Sequence, residues 1–196
     1  MAGRGLSILI LAAGASSRMG EDKLLLPLRG RPLLRHVADV ALSCGLPVTV
    51  VLPAPPGPRA AVLEGLCLMQ VTGGAGMGDS LSAGVGALPE DHAVLVMLAD
   101  MPDIGPADLM LLTAAHRDDP QAILRASNAT GDPGHPVLFP ADLRPALLSL
   151  RGDTGARAVI AAHPERLRPV PLPGNRALCD WDTPEDRARW LASGGQ

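Results

Sequence analysis

The residues best suited to chemistry lie near the start of the chain. Residues 9–23 read Leu-Ile-Leu-Ala-Ala-Gly-Ala-Ser-Ser-Arg-Met-Gly-Glu-Asp-Lys. An apolar run from Leu6 to Leu11 stops at Ala12-Ala13-Gly14, and a loop of small residues follows that carries Arg18 and Lys23. Ala, Gly and Ser leave room for backbone N–H groups to approach a ligand, and Arg and Lys neutralise its charge, so the loop suits a polyphosphate. It is neither of the common phosphate loops. A P-loop needs four residues between its glycines and then Lys-Ser/Thr, whereas five separate Gly14 from Gly20 and Glu21 follows. The dinucleotide fingerprint needs Gly two and five residues on, where this chain has Ser16 and Met19. Taken alone, the stretch also fits an ordinary Gly-rich turn after a buried strand.

Five further stretches carry chemistry-bearing residues. Val94-Leu95-Val96-Met97-Leu98 ends in Ala99-Asp100, a carboxylate at a strand tip where it would be held rigidly. Magnesium uses few protein carboxylates and completes its shell with substrate phosphate and water, so Asp100 suits a metal anchor; a helix cap fits the pattern equally. Asp103, ahead of Ile104-Gly105-Pro106, is the better capping candidate. Asp180-Trp181-Asp182-Thr183-Pro184-Glu185-Asp186 holds two acids two residues apart, which on an extended segment face the same way. Asp182 is the candidate for a second metal carboxylate, while Glu185 and Asp186 suit a helix N-terminus. Gly73-Gly74-Ala75-Gly76-Met77-Gly78-Asp79-Ser80 is a Gly-rich loop entering a helix. Its backbone groups and Ser80 could read a base edge, although a Ser/Asp cap explains it as well. Finally, Gly131-Asp132-Pro133-Gly134-His135-Pro136 and Arg151-Gly152-Asp153-Thr154-Gly155-Ala156-Arg157 are polar turns beside apolar segments. The first leads into a strand, with a candidate cis bond before Pro136. The second suggests Asp153 or Thr154 as a helix cap.

The elements that must position these residues alternate. Apolar runs predict strands at Leu6–Leu11, Val48–Leu52, Leu66–Val71, Ala93–Leu98, Ala122–Arg125, His135–Phe139 and Leu167–Pro171. Helices are expected at Pro32–Cys44, Gly78–Leu88, Pro106–His116, Ala141–Leu150, Thr154–His163 and Pro184–Ser193, several opening on Pro at the first turn. The pattern implies an α/β chain with no domain boundary: a mostly parallel sheet with helices on both faces. Pro53–Arg59 reads as a surface loop. In such a sheet ligands bind outside the carboxyl ends of the strands, which places Ala12–Lys23, Gly73–Ser80 and Ala99–Asp103 on one rim.

Composition narrows the class. Net charge is −3 and aromatic residues are 2% of 196, so no nucleic-acid partner is indicated. Hydrophobic residues make up 47%, too many for a disordered chain. Cys44, Cys67 and Cys179 are widely spaced and read as core residues in a reducing compartment. No apolar run approaches the roughly 20 residues of a membrane span, and the first is too short and too charged at its end for a signal peptide. A cytoplasmic protein without a membrane partner is expected. Gly-x-Ser-x-Gly and His-Glu-x-x-His are both absent, which removes the common hydrolase and zinc-protease readings.

Together, Leu11-Ala-Ala-Gly-x-Ser-x-Arg-Met-Gly-x-x-Lys23, Leu98-Ala-Asp-Met-Pro102, Gly76-Met-Gly-x-Ser-Leu81, Gly131-x-Pro-Gly-His-Pro-Val-Leu-Phe139, Gly152-Asp-x-Gly-Ala-Arg157 and Asp180-x-Asp-Thr-Pro-Glu-Asp186 resemble the MobA-like nucleotidyltransferases. Within them the combination looks like the cytidylyltransferases that act on molybdenum cofactor. The resemblance runs from residue 6 to 190 and implies that residues 1–196 form a single Rossmann-like nucleotidyltransferase domain. It implies a Mg2+- (or Mn2+-) dependent transfer of CMP from CTP to the phosphate of molybdopterin, with Arg18, Lys23 and Asp100 as catalytic residues. Leu11, Ala12, Ala13, Gly14, Ser16, Arg18, Lys23, Gly78, Ser80 and Asp100 would border the nucleotide. Asp100 and Asp182 would hold the metal, and His135, Pro136, Asp153 and Gly155 would lie toward the acceptor. A molybdenum hydroxylase is the implied recipient. Guanylyl-transferring members usually read Leu-Ala-Gly-Gly, and a methyl at Ala13 would crowd a purine, which favours a pyrimidine. The alternatives are GTP or another phosphorylated acceptor, and a non-catalytic carrier of the cofactor.

Overall fold

The computed structural model describes residues 5–15 and 19–194. In chain order its elements are β1 (Leu6–Leu11), the hairpin of β2 (Pro27–Leu28) and β3 (Arg31–Pro32), α1 (Leu33–Leu42), β4 (Val48–Leu52), α2 (Gly57–Ala61), β5 (Met69–Thr72), α3 (Met77–Gly86), β6 (Ala93–Leu98) and α4 (Pro106–Asp118). The remainder are β7 (Ile123–Ser127), β8 (Pro133–Phe139), α5 (Arg144–Leu148), α6 (Arg157–Ala162), β9 (Leu167–Pro171) and α7 (Pro184–Ala192).

Seven strands form one sheet in the order β5-β4-β1-β6-β8-β7-β9. The pairs β1–β4, β1–β6, β4–β5 and β7–β9 are parallel, while β8 runs antiparallel to both its neighbours. The expected mostly parallel α/β sheet is present, with β8 as the reversed strand. Side chains alternate across it. Ile8 and Ile10 of β1 join the core under α1, α4 and α7 with Leu34, Leu109 and Trp190. Leu9 joins the opposite core under α3, α5 and α6 with Leu81, Leu147 and Val159. A central strand lined by apolar residues on both faces needs such double cover, which explains its unbroken hydrophobic run.

The connections locate the functional rim. From β1 the chain winds outward through β4 to β5, then returns to place β6 on the other side of β1. Strand order reverses between β1 and β6, and a crevice opens at such a point beyond the carboxyl ends of the strands.

Several expectations need correction. The Pro-rich stretch Pro53–Arg59 leads into α2, and Arg59 is buried within it. The third strand is the edge strand Met69–Thr72 rather than Leu66–Val71. The helix expected over Ala141–Leu150 divides into a 3₁₀ turn, Ala141–Leu143, and α5, because Pro145 can sit only in a first helical turn. The helix expected from Thr154 starts at Arg157 and has no side-chain cap, so neither Asp153 nor Thr154 plays that part. Asp103 does not cap α4. Its carboxylate accepts from Trp190 Nε1 at 2.6 Å, and Asp108 caps instead, accepting from the Gly105 N–H at 2.8 Å. Among the described residues no helix is long and apolar enough to cross a membrane.

Candidate active site

A cavity of about 410 Å³ occupies the crevice between the ends of β1 and β6. Leu11, Ala13 and Gly14 form one wall, the Gly74–Met77 loop and Ser80 another, and Leu98, Asp100 and Asp153 the rest. The glycine loop takes its path from close contact. A Cβ on Gly73 would lie 2.9 Å from that of Ala13, and one on Gly78 would lie 2.5 Å from the Thr154 carbonyl oxygen. The Gly78 N–H donates to the Gly152 carbonyl at 2.7 Å. The Asp79 carboxylate accepts from the N–H groups of Gly76 (3.3 Å) and Gly152 (3.0 Å). The first of these satisfies an amide at the start of α3; the second docks the turn at residues 151–154 as the far wall. The Ser80 hydroxyl donates to the Gly74 carbonyl at 3.3 Å.

Beside the cavity lie a lysine and two carboxylates. Lys23 opens a 3₁₀ turn capped by Asp22, whose Oδ1 accepts from the Leu24 N–H at 3.1 Å. Its Nζ donates to Asp100 Oδ2 at 2.7 Å and to Asp182 Oδ1 at 2.8 Å. Burial works against that ammonium, but the Asp100 and Asp182 carboxylates outweigh it and hold Lys23 above the ordinary lysine range. The carboxylates, distant in sequence, meet through the backbone: the Trp181 N–H donates to the Asp100 carbonyl at 3.0 Å. The fully buried Trp181 ring, edge-on to Trp190 at 5.3 Å between centroids, anchors this staple in the core. The segment holds no strand, and the two acids do not act as the same-facing pair that their spacing suggested. Asp182 reaches Lys23, while Asp180 lines a separate cavity of about 740 Å³. Burial, then the charges of Asp182 and Asp100, push the Asp180 carboxyl above its usual range.

These groups fit a divalent cation. Asp100 Oδ1 is buried with no hydrogen-bond partner, a costly state for a carboxylate oxygen, and Asp182 stands one ammonium away. Among the described residues no group of three or more His, Cys, Asp or Glu would cage a metal alone. A cation here would take the rest of its shell from substrate and water, as magnesium does.

Sequence reasoning missed Arg59. Its guanidinium, 7% exposed, donates from Nε and Nη2 to both oxygens of Asp22 (2.7 and 2.9 Å). From Nη1 it donates to the carbonyls of Ala12 (2.6 Å) and Gly14 (2.9 Å). One side chain therefore joins the start of the strand-exit loop to its end, next to Lys23. A lone Arg in a Pro-rich segment carries no sequence signal of this. Ala12 is itself buried and stands behind the cavity wall.

Of the residues expected toward the acceptor, His135 starts the inner part of β8, the bond to Pro136 is cis, and the His135 Nδ1 is buried with no partner. Burial first, then the nearby Arg125 charge, lowers the His135 pKa to about 4. Asp153 lies on the cavity of about 410 Å³, and Gly155 stands against Met77, whose Sδ would be 3.1 Å from a Cβ there. Ser16 and Arg18 lie outside the described residues.

A small-residue loop at a strand exit, beside a lysine and two carboxylates and set at the reversal point of a mostly parallel sheet, is the arrangement that a nucleotidyltransferase needs. The chain belongs to the MobA-like NTP transferase domain family, whose profile matches residues 8–167. A probable molybdenum cofactor guanylyltransferase of Opitutus terrae is 30% identical over 187 residues, 92% of each chain. A bifunctional protein GlmU of Halorhodospira halophila is 34% identical over 113 residues, and the match spans only 24% of its length. A probable molybdenum cofactor guanylyltransferase of Trichormus variabilis is matched over 47% of its length. Among solved structures, Rv0371c of Mycobacterium tuberculosis superposes with a TM-score of 0.82 at 28% identity, covering 96% of this chain and 98% of that one. Its complex with manganese gives 0.79 at 26%, with the same coverage. A nucleotidyl transferase of Methanothermobacter thermautotroptrophicus gives 0.81 at 25%, covering 97% and 98%.

Proposed function

We propose that this chain transfers CMP from CTP to the phosphate of molybdopterin-bound molybdenum cofactor, releasing pyrophosphate. A phosphate oxygen of the acceptor forms the new bond to the α-phosphorus, and the bond to the β-phosphate oxygen breaks with its electron pair leaving on pyrophosphate. The acceptor phosphate is already ionised, so no general base is required; the chain's work is positioning and charge neutralisation. The observation that carries the reading is the Lys23 ammonium seated between Asp100 and Asp182 at the cavity rim, with Asp100 Oδ1 left unpartnered. Asp100 and Asp182 would hold Mg2+ or Mn2+, and the manganese complex of Rv0371c supports a divalent ion. When bound, that ion neutralises the triphosphate. Lys23 and Arg18 would steady the triphosphate and the departing pyrophosphate. The finished dinucleotide cofactor would pass to a molybdenum hydroxylase, and the whole reaction would take place in the cytoplasm.

Cytosine is favoured by Ala13, whose methyl group lines the cavity beside Gly73. A GTP-dependent reading has its own support, the printed names of the guanylyltransferase relatives. Pyrophosphate release from CTP, GTP and ATP, each with and without molybdopterin, tests both. Release from CTP that depends on molybdopterin supports the first reading. A preference for GTP transfers the base assignment to the second, and inertness of all three nucleotides removes the enzyme reading.

A further inference from the structure

A nucleotide pairs a charged end with a flat base, and the cavity of about 410 Å³ is divided in kind. Its charged residues are Asp100, tied to Lys23, and Asp153, while Ala13, the Gly74–Met77 loop and Ser80 bring no charge. Proteins commonly hold a base against an aromatic ring. This chain has one Phe, two Trp and no Tyr, and Phe139, Trp181 and Trp190 are all buried in the two cores. The base must therefore lie against aliphatic groups. Leu11 and Leu98 end β1 and β6 and are fixed by the sheet. Met77 differs: it lines the same cavity but is 54% exposed. Its seat is made by an absent side chain. A Cβ on Gly155 would lie 3.1 Å from the Met77 Sδ and 3.9 Å from its Cγ, so the thioether occupies space that a side chain at 155 would fill. It spans from the start of α3 to the turn ahead of α6.

A thioether side chain is long, unbranched and polarizable, and it makes favourable contacts with aromatic rings, which a nucleobase supplies. The exposure that suits Met77 to close over a ring also opens its sulfur to oxidants. Met19, Met97 and Met101 are at most 7% exposed, whereas Met69, Met77 and Met110 are 50%, 54% and 64% exposed. Met69 and Met110 line neither cavity. Oxidation turns a flexible apolar side chain into a polar, chiral one. At Met77 an oxygen added toward Gly155 meets the turn. One added on the open side enters the cavity and sets an S–O dipole against the face of the base.

We propose that Met77 closes over the nucleotide's base and that its oxidation to the sulfoxide shuts the nucleotide site. The proposal rests on the nucleotidyl-transfer reading above. The oxidant is a hydroperoxide: its O–O bond breaks, one oxygen bonds to the sulfur, which loses two electrons, and with hydrogen peroxide the other oxygen leaves as water. Methionine sulfoxide reductases, one for each epimer, reverse the change. The test treats the full chain and its Met77→Leu variant with hydrogen peroxide and locates the added oxygen by mass spectrometry of peptides. Calorimetry then measures binding of CTP, GTP and inorganic triphosphate, each with Mg2+, and compares each chain with itself before treatment. Oxidation at Met77 should weaken nucleotide binding about tenfold, the scale of losing the ring contact and leaving a polar group in its place. Reduction should restore it, and triphosphate binding should stay within about twofold throughout. In treated Met77→Leu, where Met69, Met110 and the exposed Cys67 still react, nucleotide binding should change by less than about twofold. Untreated Met77→Ala should bind nucleotide about threefold or more weakly than the native chain, again with triphosphate unaffected. Unchanged nucleotide binding by the Met77 sulfoxide or by Met77→Ala, a Met77 that stays unoxidised while Met69 and Met110 react, or an equal loss in treated Met77→Leu overturns this proposal alone. Failure of the untreated native chain to bind any nucleoside triphosphate overturns the transfer reading, and the proposal falls with it.

Discussion

Arg59→Met keeps most of the buried stem and removes the fork. In the native chain that fork makes four hydrogen bonds, two to Asp22 and one each to the carbonyls of Ala12 and Gly14, at 2.6–2.9 Å. Hydrogen bonds involving a charge contribute about 1.5–3 kcal/mol each, and stripping one partner from a buried pair costs about 3–5 kcal/mol. The Asp22 side chain is 30% exposed, so water recovers part of that loss, and a net cost of about 2–4 kcal/mol is expected. At about 2–4 °C per kcal/mol for a chain of this size, Tm should fall by roughly 5–15 °C.

The second consequence concerns the ligand. The freed segment is the one whose ends are Gly14 and Asp22, and the latter immediately precedes Lys23. If the competent loop becomes only a minor population, apparent nucleotide affinity falls by that fraction. The KM for nucleotide should rise about tenfold or more, with the acceptor KM little changed. Arg59→Lys, which keeps the charge but not the fork, should fall between. Thermal unfolding and steady-state kinetics with each substrate varied give the answer. A Tm within about 2 °C of the native chain, together with nucleotide KM within about twofold, would refute the claim that Arg59 closes the phosphate loop.

Three further outcomes are expected. Asp100→Asn should lower metal-dependent turnover by about 10² or more, the scale of removing one key electrostatic group, and near-normal turnover in a metal titration would take Asp100 out of the metal site. Gly78→Ala places a methyl 2.5 Å from the Thr154 carbonyl and 2.9 Å from that of Arg151; the far wall must shift, costing about 1–3 kcal/mol in urea unfolding, and an unchanged midpoint would show that the turn gives way freely. Burial, with the Arg125 charge, lowers the His135 pKa to about 4 from the ordinary 6.5. The unfolded chain therefore takes up that proton first as pH falls, so stability should rise between about pH 4 and 6.5 and level off above, by at most about 3 kcal/mol. His135→Gln should flatten that part of the profile, and an unaltered slope would assign it to other groups.

How far the site was legible depends on what kind of contact each residue makes. Lys23 and Asp100 stand out in the sequence because each follows an apolar run that stops abruptly, and a strand exit is a local feature. The sheet's central strands were equally plain, since β1, β4 and β6 have the same bounds in sequence and structure. The reversal of β8 was not, because an apolar strand carries no mark of its direction, which its partners set. The hairpin of β2 and β3, two residues on each side, is too short for any periodicity to register.

The carboxylate pair shows where such reading stops. Spacing of two suggests that Asp180 and Asp182 act together, yet the segment holds no strand and the residue between them decides the outcome. Trp181 is fully buried, its N–H binds the Asp100 carbonyl, and the chain on either side leaves the core. That sends Asp182 to Lys23 and Asp180 to the neighbouring cavity. The same reasoning explains why Arg59 was invisible: two of its four hydrogen bonds go to carbonyls 45 and 47 residues away, every residue has a carbonyl, and its carboxylate partner Asp22 lies 37 residues off. A side chain that recognises another side chain leaves a pattern of types. One that recognises backbone leaves none, and the two bonds by which Arg59 holds the carbonyls of Ala12 and Gly14 are of the second kind.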